Sequence, residues 1–141
     1  PSLSFADPQW GSANRASYFG FTFDGYVRGA QGDVMPGLSF RQGSYGLVGV
    51  GYSIEAGYRL RDGGVLRGDV HANVLMVGIY VGAQLQANVA DTRSSQLGLR
   101  YGIMIGPPSG IGFRIGGLTF PASGQGSELN LSLAYYFRLD I

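Results

Sequence analysis

The residues with the most chemically useful side chains lie among glycines, on one side of an alternating pattern. Glu55 and Arg59 fall on the same side of one such stretch, and Asp69 and His71 share a side of another. Because successive side chains of a β-strand point to opposite faces, groups at even spacing would meet on one face of a sheet. The complete predicted set is Glu55, Arg59, Asp69, His71, Arg100, Arg114, Glu128 and Arg138.

His71 is the only histidine in the chain, and there is no cysteine. A metal site needs several ligands of suitable type, and a hydrolase needs a nucleophile, a base and a group that orients the base. The sequence around His71 holds no such cluster. We therefore predict no metal, no cofactor and no enzymatic activity, and we interpret His71 as a member of the charged set.

The composition argues against several classes of protein. Only 13% of the residues are charged, the net charge is +1, and there is no lysine. A soluble domain usually carries roughly a quarter to a third charged residues on its surface. A nucleic-acid interface needs clustered excess positive charge, so no nucleic-acid partner is predicted. No apolar run approaches the ~18 residues of a transmembrane helix.

The strand that ends the chain is the clearest element. Residues 128–141, ELNLSLAYYFRLDI, alternate strictly between apolar and polar or small side chains. A soluble strand usually has about 5–6 residues, whereas a tilted strand that crosses a bilayer needs about 9–11. The length and the uniform apolar face therefore predict a membrane-spanning β-strand.

Seven further alternating stretches precede it, separated by turn signals such as Asp62-Gly63-Gly64 and Gly106-Pro107-Pro108. We predict an irregular N-terminal segment over 1–16 and a barrel domain over 17–141. Pro36 cannot donate a ladder hydrogen bond, so it indicates a strand start or a bulge in a shorter second strand. The predicted strands are 17–28, 33–42, 47–61, 65–74, 77–89, 96–105, 110–120 and 128–141.

The apolar face changes parity between Val74 and Val77. Either a tight turn joins two strands there, or a bulge bends one long strand. No Gly or Pro marks a turn. We prefer two strands, because the continuous stretch 65–90 would far exceed one membrane crossing.

The volume of the side chains indicates which face points outward. The interior of an eight-stranded barrel is just wide enough to be filled by side chains, so the bulky apolar face would overfill it. Glycine and alanine inside leave room for paired charges, and guanidinium groups suit carboxylates well. An ion or proton path is the alternative to such a structural network. Predicted lipid-facing residues include Val50, Tyr52, Ile54, Leu99, Tyr101, Leu131, Leu133, Tyr135 and Phe137.

In strand count, alternation and C-terminal strand, residues 17–141 resemble the small eight-stranded outer-membrane β-barrel proteins of Gram-negative bacteria. The resemblance implies an all-β, antiparallel, up-and-down transmembrane barrel in the bacterial outer membrane. The C-terminal strands of that family usually end in an aromatic residue, whereas here Phe137 is followed by residues 138–141, RLDI. Outer-membrane lipid deacylases place a serine closely after their histidine, and the sequence His71-Ala72-Asn73 lacks it.

No predicted connection exceeds about eight residues, which leaves little surface for a binding site. We therefore expect an integral outer-membrane barrel with a structural or accessory role, as an anchor or small subunit of a larger envelope assembly, without an open pore. Its partners would be membrane lipid and other envelope proteins. Two alternatives remain open: a soluble or periplasmic barrel that binds a lipid or another apolar ligand inside, and an outer-membrane lipid-modifying enzyme. The start at Pro1 leaves open whether a signal peptide was removed.

Overall fold

The computed structural model describes residues 15–45, 47–60, 63–87, 96–107, 109–120 and 127–139. Consecutive strands pair antiparallel, and β8 pairs with β1, so the sheet closes into a barrel. The predicted eight-stranded, up-and-down antiparallel barrel is confirmed. The strands are β1 (Arg15–Arg28), β2 (Gln31–Ser44), β3 (Val48–Arg59), β4 (Gly63–Val74), β5 (Val77–Ala87), β6 (Gln96–Ile105), β7 (Gly110–Thr119) and β8 (Glu128–Leu139). No helix of the described residues is long and apolar enough to cross a membrane.

The barrel has two different ends. At the terminus end, β1 begins and β8 stops, and the connections are residues 45–47, 75–76 and 106–109. At the loop end the connections are 29–30, 60–62, 88–95 and 120–127. The longest connections therefore lie at the loop end.

Most apolar side chains of the strands face outward, and most polar side chains face inward. All nine predicted lipid-facing residues are exposed, from 40% for Tyr52 to 60% for Val50. Serine, asparagine, glutamine and charged side chains are buried inside. This inversion of the soluble pattern is the arrangement of transmembrane barrels, which alternate apolar-out and polar-in along each strand.

The tight connection between β4 and β5 confirms the interpretation of two strands rather than one bulged strand. Leu75 adopts a positive φ of 56°, a conformation that usually calls for glycine. Its N–H donates to the Leu47 carbonyl at 2.8 Å, and Asn73 Nδ2 donates to the Leu75 carbonyl at 2.9 Å. These hydrogen bonds stabilise a turn that contains neither Gly nor Pro.

Strand β2 corrects one prediction, because it spans Gln31–Ser44 and is as long as β1. It runs through Pro36, which pairs with Phe23 of β1, whereas its pairing with β3 begins only at Gly37. Pro36 therefore lies where the ladder between β2 and β3 ends, and not at the start of the strand. Arg15 and Ala16 belong to β1, and residues 1–14 of the predicted irregular segment lie outside the described residues.

Candidate functional site: the charged interior of the barrel

The centre of the barrel interior is an ion-pair network built around Glu55. Arg67 donates from Nε to Glu55 and from its two terminal nitrogens to both oxygens of Asp24, each at 2.8 Å. Arg114 reaches Glu55 from the opposite wall, with Nη2 at 2.7 and 3.0 Å from the two carboxylate oxygens. Each guanidinium is therefore held by charge-assisted hydrogen bonds, the strong class of such contacts.

Asp69 extends the same network. Arg100 Nη1 donates to it at 2.9 Å, and Ser53 Oγ donates at 2.8 Å. Arg114 Nη1 lies 3.5 Å from the same carboxylate. Three carboxylates and three guanidinium groups thus balance one another in charge. We define the central network as Asp24, Glu55, Arg67, Asp69, Arg100 and Arg114.

The positions of the charged groups in the central network depend on the register of the strands and on a glycine beside them. Glu55 of β3 lies opposite Arg67 of β4, and Ser53 lies opposite Asp69. Gly82 lies beside both Asp69 and Arg100, and a Cβ there would collide with the Gly68 carbonyl and with Asp69. The network therefore needs glycine at this point, because the neighbouring backbone approaches too closely for any side chain.

A second cluster lies towards the loop end. Arg59 donates to Glu128 at 2.8 and 3.2 Å, to Asp33 at 2.9 Å and to Gln86 at 3.1 Å. Its guanidinium also lies 4.1 Å from the ring centroid of Tyr26, a cation–π contact. An apolar cluster packs at the same end, formed by Tyr26, Met35, Val65, Leu118 and Phe120.

Aromatic side chains occupy the terminus end. His71 Nε2 lies 2.7 Å from the Tyr45 hydroxyl, and the two rings stack with centroids 5.8 Å apart. Burial raises the pKa of Tyr45, so its hydroxyl keeps its proton. His71 Nδ1 lies 3.7 Å from Asp69 Oδ1, which links this end to the central network. Tyr18 and Tyr136 pack in the same apolar cluster as Tyr45.

The structure divides the predicted charged set into two clusters and removes one member. Arg59 and Glu128 pair at the loop end, whereas Glu55, Asp69, Arg100 and Arg114 lie in the central network with His71 beside them. Arg138 corrects the prediction, because it is exposed. It has the parity of an interior residue but lies next to the last residue of β8, where the lumen opens.

Sequence reasoning missed Asp24 and Arg67, the two fully buried partners that complete the central network. The sequence pattern contained the information needed to include them, since Asp24 shares a strand face with Tyr26, and Arg67 shares one with Asp69. Both residues lie on the small or polar side of their strands, and parity alone would have included them.

Buried side chains fill much of the described interior. Cavities of about 260 and 460 Å³ lie on the apolar exterior, bordered mainly by outward-facing side chains such as Val70, Ile79, Phe23 and Leu131. A cavity at the terminus end, bordered by both interior and outward-facing side chains, measures only about 10 Å³. Within the described residues, no group of three or more His, Asp or Glu side chains is placed to hold a metal ion.

No protein-family model and no curated protein sequence matches the chain. Among solved structures, it is similar to a designed transmembrane β-barrel, with 11% identity and a TM-score of 0.49 over 86% of this chain and 95% of that one. It is also similar to the outer membrane protein Ail of Yersinia pestis in a phospholipid nanodisc. That match has 14% identity and a TM-score of 0.43, over 88% of this chain and 100% of that chain.

Proposed function

We propose that this protein is an integral outer-membrane barrel that serves as a closed anchor or accessory subunit of a larger envelope assembly. One observation carries the proposal: an apolar exterior surrounds an interior that is closed by paired charges. Glu55, bonded to both Arg67 and Arg114, joins opposite walls of the lumen. Such an interior supports a structural role better than transport, because each carboxylate of the central network is paired with at least one guanidinium group.

The exterior supports insertion into a bilayer. Leu, Ile, Val, Phe and Tyr side chains are exposed around all eight strands, far beyond the few hundred Å² of apolar patch that soluble monomers tolerate. Closure of the sheet pairs the backbone groups between strands, which lipid requires. Membrane lipid is therefore the first partner that we propose.

The orientation follows from the two ends. Transmembrane barrels of the outer membrane have short periplasmic turns and longer extracellular loops. We therefore place the terminus end, with connections such as 75–76, in the periplasm, and the loop end outside the cell. An epitope inserted in 120–127 should be detected on intact cells, and one inserted in 106–109 should not; the reverse labelling would contradict this placement.

Insertion is tested by purification and electrophoresis. The folded chain should require detergent or lipid, remain in membranes after alkaline washing, and migrate differently before and after boiling. A monodisperse, detergent-free protein with native β-structure would overturn the proposal. Planar bilayers containing the protein should show no steady conductance, and a stable open channel would contradict a closed anchor.

The accessory role needs a separate test, because an isolated barrel would pass the first one. Photo-crosslinkers at Ile54, Ile79 and Leu133 sample three exterior faces. An accessory subunit should crosslink to one envelope protein from one face and to lipid from the others. Crosslinking to lipid alone from all three positions would show that the barrel stands by itself.

The two alternatives receive less support from the geometry. A carrier of apolar ligands needs an apolar cavity inside, and this interior is packed with charged and polar side chains. A lipid-modifying enzyme would need a histidine that lipid can reach. His71 is only 3% exposed, and its Nε2 is already engaged by Tyr45.

A further inference from the structure

Arg41 differs from the other buried arginines of the described interior. Arg59, Arg67, Arg100 and Arg114 each form an ion pair with at least one carboxylate. Arg41 is 4% exposed and lies over the ring of Tyr136, 4.0 Å from its centroid. No carboxylate of the described residues forms an ion pair with it, and its Nε has no hydrogen-bond partner among them. Arg41 is therefore a buried positive charge in excess of the balanced central network.

A small cavity adjoins this charge. It measures about 10 Å³ and is bordered by Arg41 and Arg114, by Met104 and Tyr136, and by the connection that begins at Gly106. The terminal nitrogens of Arg114 hold Glu55 and Asp69, but its Nε also lacks a partner among the described residues. Two buried arginines thus border one cavity.

No carboxylate is among the residues that line the cavity, and Arg114 is already paired with Glu55 and Asp69, so the surplus positive charge beside the cavity is that of Arg41. A cavity of this size holds one small particle, such as a water molecule or a monatomic ion. A water molecule could satisfy a hydrogen bond but would leave the charge of Arg41 uncompensated in a poorly solvated site. A monovalent anion satisfies the donors and also neutralises the charge.

We propose that this cavity binds a halide-sized anion, chloride under physiological conditions, between Arg41 and Arg114. The anion completes the charge balance at the terminus end and fastens β2 to β7 across the lumen.

The first test measures folding stability against chloride concentration at constant ionic strength, with gluconate as the replacing anion. A ligand that binds only the folded state stabilises it by mass action. In reconstituted protein, each tenfold increase in chloride above the dissociation constant should raise the folding equilibrium constant about tenfold. An equilibrium constant that is independent of chloride would overturn the proposal. It would mean that water, or a carboxylate elsewhere in the chain, accompanies Arg41.

The matched variants are Arg41→Gln and Arg138→Gln, since Arg138 is an exposed arginine at the same end that does not border the cavity. The chloride dependence should disappear in Arg41→Gln and persist in Arg138→Gln. Persistence in Arg41→Gln would place any anion effect elsewhere and overturn the site. Loss of the chloride dependence in both variants would show a non-specific response to charge and would also overturn the site.

Bromide provides a direct measurement that does not depend on a variant folding. Crystals of the unaltered protein grown in bromide should show an anomalous peak between the guanidinium groups of Arg41 and Arg114. Absence of a peak there would refute the proposal, whatever the variants do.

Discussion

Glu55 and Arg114 bind each other across the barrel, with Arg114 Nη2 2.7 Å from Glu55 Oε2. They belong to β3 and β7, which are not neighbours in the sheet. Backbone ladders connect only adjacent strands, so this side-chain pair links opposite walls in a way that the sheet cannot. Arg67 binds the same carboxylate from the adjacent strand β4. Loss of the Glu55 charge would therefore leave two buried guanidinium groups without their shared partner.

Glu55→Gln should destabilise the folded barrel by about 3–5 kcal/mol, because removal of one partner of a buried ion pair leaves an uncompensated charge. Urea titration of protein in lipid vesicles, followed by circular dichroism and by gel migration, measures the loss. Arg138→Gln is the control, since Arg138 is exposed and should change stability by less than about 0.5 kcal/mol. Equal stability of Glu55→Gln and the unaltered protein would indicate a wet interior.

A double-mutant cycle between Glu55 and Arg114 should give a coupling energy of about 0.5–3 kcal/mol. The double variant Glu55→Gln/Arg114→Gln removes both charges, so it should recover part of the loss. The same cycle between Glu55 and Arg138 should give no coupling, because Arg138 lies outside the network. Coupling to Arg138 and none to Arg114 would contradict the arrangement of the interior.

The faces of the strands were accessible from the sequence because they depend on a local rule. Alternation along one strand decides which side chains share a face, and closure then puts one face inside. The rule worked least well in β2. Pro36 and the surrounding glycines interrupt the alternation there, so the predicted strand was shorter than the observed one. The rule also did not predict the turn at Leu75. That turn is supported by a hydrogen bond from the Leu75 N–H to the Leu47 carbonyl and by one from the Asn73 side chain to the Leu75 carbonyl.

The partners in the interior were not accessible in the same way. Parity states that Glu55 points inward, but the tilt and stagger of the closed sheet decide which strand faces it across the lumen. Parity also does not indicate where along the barrel axis a side chain lies. Arg138 has the parity of Tyr136, yet it lies at the rim and is exposed.

Ile54→Arg and Leu133→Arg should impair insertion, since arginine on the lipid face costs about 2–4 kcal/mol at the bilayer midplane. Both residues lie near the middle of their strands and are about half exposed. Leu60→Arg is the matched control, because Leu60 directly follows β3 at the loop end and should cost about 0–1 kcal/mol there. Folded yield in lipid vesicles, measured by gel migration, should rank the variants in this order. A Leu60→Arg variant as defective as Ile54→Arg would show that this exterior does not face hydrocarbon.

Gly116→Ala should destabilise the barrel by about 1–3 kcal/mol through overpacking. A Cβ at Gly116 would collide with the Tyr101 carbonyl and would lie 2.5 Å from the Tyr80 hydroxyl and 2.8 Å from Gly102 Cα. The control is Gly64→Ala, because a Cβ at Gly64 meets no atom within 4 Å. The Gly64→Ala change should be neutral or slightly stabilising, since alanine reduces the entropy of the unfolded chain. Urea midpoints that fall equally for both variants would argue against a specific close approach of β6 and β7.

Tyr45→Phe should cost about 1–3 kcal/mol, because it leaves the buried Nε2 of His71 without a partner while it keeps the stacked ring. Tyr135→Phe is the matched control, since Tyr135 is 47% exposed on the exterior and should change stability by less than about 0.5 kcal/mol. The nitrogen-15 NMR signal of His71 provides an independent measurement, because loss of the hydrogen bond should shift the resonance of Nε2. The Tyr135→Phe change should leave that resonance in place. An unchanged His71 resonance in Tyr45→Phe, with unchanged stability, would mean that the hydroxyl of Tyr45 does not bind His71 and that the terminus end is held by ring packing alone.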